Sequence, residues 1–173
     1  EQAIAIASRD INPRVKSEVT YVEQKNTMFS EYGYVWDIIF RLYDKRDNII
    51  GGSEIYVDNK EGKIIYKYSR KTICQLLLNQ QPVQNGEIMI VNSENKGDGF
   101  SVYTTHSVDD YGFTNEEGKI NISLSTEGDS HMVIVDQSGV TRLKDVVYSQ
   151  LKQDSCEIDI TNAKIVNWQD VLK

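Results

Sequence analysis

The chain has 173 residues, enough for one well-packed domain, and its 39% apolar share is ordinary for a globular protein. A formal net charge of −7 argues against nonspecific nucleic-acid binding and against anionic membrane surfaces, since both require a basic face. Ten tyrosines, more than phenylalanine and tryptophan combined, suggest half-buried sheet surfaces or an interface, and no run reaches the roughly 18 apolar residues that span a bilayer.

The first segment reads as a long helix over about residues 14–44. Val15, Val22, Phe29, Trp36 and Tyr43 recur every seven residues, with Val19, Tyr32 and Ile39 in the adjacent rows, which makes one apolar stripe. Pro13 fits the first turn of this helix, or kinks a longer one that includes Ala3 to Ala7. Gly33 marks a weak point. The stripe serves the domain's own core or, if the heptads persist, an intermolecular coiled coil.

After Asp44 to Asn48 the period changes to alternation. Ser53–Val57 and Lys63–Tyr68 read as strands joined by a turn at Asp58–Gly62. Ser69–Leu78 reads as a short amphipathic helix carrying Cys74, ending near Asn79 before Pro82. Strand-like runs follow at Glu87–Val91, Phe100–Thr104, Lys119–Leu124 and Met132–Val135, each bounded by Gly, Asn or Asp. Asp145–Leu151 is ambiguous, Glu157–Ile160 is a last strand, and Trp168–Leu172 a closing helical turn. The expectation is a single α+β domain over 1–173, with the long helix packed on an antiparallel sheet spanning about 50–173.

No motif specifies a reaction, so no catalytic residue, metal ligand or cofactor is assigned and the chain is not expected to be an enzyme. Gly128-Asp129-Ser130-His131 places a hydroxyl beside an imidazole, but adjacency in sequence does not make Ser-His-Asp groups converge in space. His106 and His131 lack a second histidine or cysteine at ligand spacing. Asn92 to Asp98 reads as a solvated hairpin loop, since its lysine and its missing terminal glutamate spoil a calcium loop. Asn121-Ile122-Ser123 is a glycosylation sequon inside a strand. Ile50-Gly51-Gly52-Ser53 lacks the residues of a phosphate loop and reads as a sharp entry into a strand. The two cysteines, Cys74 and Cys156, are by count alone either one disulfide or two buried thiols.

Ile50-Gly51-Gly52-Ser53-Glu54-Ile55-Tyr56-Val57, then Lys63 to Tyr68, then Thr72-Ile73-Cys74-Gln75-Leu76-Leu77, resembles the middle of a type IVb pilin. The resemblance covers about Val15 to Leu78 plus Cys156. It implies a Cys74–Cys156 disulfide and a long N-terminal helix on a sheet. It also implies a structural subunit of a bacterial type IV pilus or related filament, of the minor, tip or pseudopilin kind, outside the cytoplasm. Its partners would be other pilin subunits or assembly proteins. The apolar half-helix that anchors such subunits in membrane is absent and is expected upstream of Glu1. The alternative is a soluble protein-binding module of a phage or secretion-system assembly, which would use its tyrosine-bearing sheet for contacts.

Overall fold

The segment expected to form the long helix is a β-hairpin. In the structure, a computed structural model that describes residues 1–26, 33–65, 72–97, 102–122, 129–146 and 156–171 (backbone alone at 95–96 and 102–105), β1 (Lys16–Asn26) runs antiparallel to β2 (Tyr34–Tyr43). The cause lies in side-chain chemistry. Val19, Thr20, Val22, Val35, Ile38 and Ile39 are β-branched, and Tyr21, Tyr34, Trp36, Phe40 and Tyr43 are aromatic, the residue types that fit a pleated surface. The seven-residue spacing also cannot mark one face of a strand, because seven is odd.

Two compact units make up the chain, Glu1–Tyr68 and Ser69–Lys173. The first begins with a short helix α1 (Gln2–Ala7), continued by a 3-10 turn at Ser8–Asp10. Its sheet has the order β1-β2-β3-β4, with β3 (Ile49–Asp58) and β4 (Ile64–Ile65) both antiparallel to their neighbours. Ile38, Phe40 and Leu42 of β2 and Ile55 and Val57 of β3 are buried on one face, and α1 lies against these two strands. The β2–β3 connection is closed by Asp44, whose carboxylate accepts from the Arg46 and Asn48 backbone amides and from Asn48 Nδ2. The expected turn at Asp58–Gly62 is present, with Gly62 at φ +65.

The second unit is entirely strands and turns among the described residues. Its larger sheet has the order β13-β11-β10-β7-β8, built from β7 (Glu87–Gly97), β8 (Val102–Phe113), β10 (Asp129–Val135), β11 (Thr141–Val146) and β13 (Lys164–Ile165). The smaller sheet centres on β5 (Thr72–Leu78), which pairs with β6 (Gln81–Pro82), β9 (Lys119–Ile122) and, in parallel, β12 (Cys156–Asp159). A 3-10 turn at Trp168–Asp170 closes the chain. Both sheets contribute to one core: Leu76, Ile120, Ile122 and Ile158 from the smaller, Ile88, Ile90, Met132 and Ile134 from the larger.

The α+β expectation is therefore overturned: the fold is mostly β, and the one α-helix among the described residues is six residues long. Two further local readings change. The run around Cys74 is strand β5, because Cys74, Leu76 and Leu78 alternate inward while Ile73 stays exposed. The segment from Asn92 continues as strand through Gly97, so it is no loop within the described residues.

Candidate interaction strand and disulfide clamp

Cys74 and Cys156 form a disulfide, with both side chains buried. Cys156 is the first residue of β12 and stands directly opposite Cys74 in the parallel register, with a Cα–Cα distance of 4.4 Å. This is the pairing implied by the pilin resemblance, set between two strands and not between a helix and a strand. The bond covers a sequence separation of 82, so in the chain-entropy picture it stabilises the second unit by about 4–5 kcal/mol. The strand it secures is only four residues long. Asp159, at its end, is held below the usual carboxylate range by the Thr161 hydroxyl and backbone amide.

The residues of the expected helix face are dispersed over the hairpin. Val15 is buried just ahead of β1, and Phe29 lies outside the described residues. Val19, Val22 and Trp36 share the face of β1 and β2 that carries Ile38 and Phe40, while Ile39 and Tyr43 point to the other. Val19 and Val22 can share a face although three residues apart because a β-bulge falls between Val19 and Tyr21.

β1 is the edge of its sheet, and β2 is its only strand partner among the described residues. Ten of its eleven residues are exposed, among them Val19 (37%), Tyr21 (40%) and Val22 (41%). On the polar face, the charged groups of β1 are satisfied by the sheet and by the β2–β3 turn, where Asp47 accepts from Lys16 at 2.6 Å. Glu18 lies 3.8 Å from Arg41 and accepts from the Tyr43 hydroxyl at 2.8 Å, and Lys16 sits over the Tyr43 ring. The Tyr21 hydroxyl donates to Glu23, which pushes the phenol up, and Lys25 donates to the buried Asp37, which pushes the ammonium up. What the strand offers outward is its backbone edge, unpaired among the described residues, and the Val19–Val22 side.

The remaining sequence candidates do not assemble into a catalytic site. Ser130 and His131 are adjacent in β10 and so face opposite sides, with Ser130 buried and opposite Asn92. The histidines have other partners: His131 Nδ1 meets Asp145 at 2.8 Å, and His106 Nδ1 shares a 2.8 Å hydrogen bond with Ser93 across the β7–β8 pair. Sequence reasoning missed both pairs because each depends on strand register. No group of three or more His, Cys, Asp or Glu side chains suited to a metal occurs among the described residues. Asn121 is exposed in β9. Gly52 is a close-approach position and not part of a phosphate loop, since a Cβ there would lie 3.1 Å from the Phe40 carbonyl oxygen.

A shallow cavity of about 230 Å³ lies between Leu78, Pro82, Val83 and the Asp136–Ser138 turn. Asp136 is its one charged group among the described residues, and it is committed to the turn. It accepts from the Ser138 amide and hydroxyl, the Val140 amide and Arg142. Burial alone would push Asp136 up, but these donors prevail and hold it below the usual range.

No family model, curated protein or solved structure matches the chain. The functional reading therefore rests on the geometry of β1 and on the disulfide.

Proposed function

We propose that this chain is a protein-binding module that acts by docking and not by chemistry, with β1 as its contact strand. The observation that carries this reading is the outer edge of β1, free of a strand partner among the described residues, exposed along its length and bearing Val19, Tyr21 and Val22. An extended segment of another protein can add to such an edge. Main-chain hydrogen bonds then give affinity, and alternate side-chain contacts give specificity. The bulge and the lysines at 16 and 25 limit indiscriminate pairing, as edge strands commonly require. The Cys74–Cys156 disulfide supports an oxidising setting, outside a reducing cytosol.

The pilin reading placed a long helix in a filament core. With that segment folded as a hairpin, the binding-module alternative fits the geometry better, and assembly through a helical core is set aside. Selection of a displayed peptide library against the immobilised chain tests the proposal. Extended peptides with alternating apolar residues should be enriched, and Val22→Lys should weaken them at least about tenfold. Peptides that bind Val22→Lys as well as the wild type, or no enrichment, would count against it.

A further inference from the structure

On the polar face of the first sheet, Lys25, Asp37 and Glu23 form a constellation whose chemistry the docking reading leaves unexplained. Glu23 stands directly opposite Asp37 in the β1–β2 register, and Lys25 is two residues along the same strand, on the same face. The Lys25 ammonium donates to Asp37 Oδ2, and Glu23 Oε2 lies 3.9 Å from the same Nζ. Asp37 is fully buried, and its Oδ1 has no hydrogen-bond partner among the described residues. A buried carboxylate with one satisfied oxygen is costly, and such a group calls for an explanation.

We infer that Lys25 and Asp37 are the two halves of an intramolecular amide cross-link, with Glu23 as the proton carrier. Lys25 Nζ passes one proton to Asp37 Oδ2 along their hydrogen bond, the free amine attacks Cγ of the now neutral carboxyl, the new C–N bond forms, and the Cγ–Oδ2 bond breaks. Glu23 takes the second proton from Nζ and delivers it to the departing hydroxyl, which leaves as water. Glu23 is regenerated, no electrons are exchanged, and no co-reactant is needed. The product replaces a buried charge by a neutral amide whose N–H faces Glu23. An ammonium has no lone pair with which to attack, so the proton transfer to Asp37 precedes bond formation. The bond would tie the edge strand β1 covalently to β2.

The inference stands apart from the docking proposal, and its test has a different readout. Intact mass spectrometry of the purified chain, fresh and after prolonged incubation, should show the loss of one water, about 18 Da, beyond the disulfide. Proteolysis should then give a branched peptide joining Lys25 to Asp37. Lys25→Arg and Asp37→Ala should each restore the full mass, and Glu23→Gln should slow the loss at least about tenfold. A wild-type chain that keeps its full mass after incubation would overturn the inference, as would a water loss that survives Asp37→Ala. If either variant fails to fold, the wild-type mass and peptide map alone decide.

Discussion

Cys74 and Cys156 face each other across a parallel pair of strands, and the bond between them is what secures the four-residue β12 to the centre of its sheet. Parallel pairing is slightly weaker per residue than antiparallel, so a short parallel edge strand gains much from a covalent tie. Ile158 and Ile160, which follow Cys156, are buried in the core and depend on that placement. Reduction, or Cys74→Ser with Cys156→Ser, should therefore lower stability by about 4–5 kcal/mol, read as a lower urea midpoint. Equal midpoints with and without reductant would contradict this.

The hairpin makes a prediction opposite to that of a helix. Ile38 lies off the seven-residue stripe yet is fully buried, while Val22 lies on the stripe yet is 41% exposed. Ile38→Ala should cost about 2–4 kcal/mol, and Val22→Lys about 0.5 kcal/mol or less. Thermal melts of the two variants separate the alternatives.

Gly118 combines φ +73 with close neighbours: an added Cβ would meet the Leu76 carbonyl oxygen at 2.9 Å and the Val83 nitrogen at 3.0 Å. Both are backbone atoms, and the Leu76 amide donates to the Gly118 carbonyl, so neither side can move freely. Gly118→Ala should destabilise the second unit by about 2 kcal/mol or more, measured by denaturant unfolding.

Asp136 sets an acid limit. Its folded pKa is depressed, so its contribution is present above the unfolded carboxylate value and is lost as pH falls through the folded value. Asp136→Asn should cost about 1–3 kcal/mol near neutral pH, and the gap from wild type should narrow below about pH 4. A gap that stays constant with pH would refute this assignment.

Much of the strand pattern was legible because the runs alternate and are punctuated by turn residues. β10 and β12 fall close to the runs read at Met132–Val135 and Glu157–Ile160. The long helix was misread for an identifiable reason. The bulge between Val19 and Tyr21 puts Val19 and Val22 on one face at a spacing of three, which imitates a helical row. The helix around Cys74 failed because the short run Thr72–Leu78, with five apolar residues of seven, satisfies both periods, and neighbouring strands decided between them. The resemblance did point to the correct cysteine pair. The Lys25–Asp37, Ser93–His106 and His131–Asp145 pairs were invisible, since each joins residues 12 to 14 apart that meet only in the observed register.

The central claim, that β1 is a docking edge, is tested most directly by amide hydrogen exchange across Lys16–Asn26, with and without a selected peptide bound. In the free chain the amides of β1 that do not bond to β2 should exchange rapidly. On binding, those amides should become protected while β2 and β3 change little. Protection confined to other strands, with β1 exchanging as before, would contradict the account.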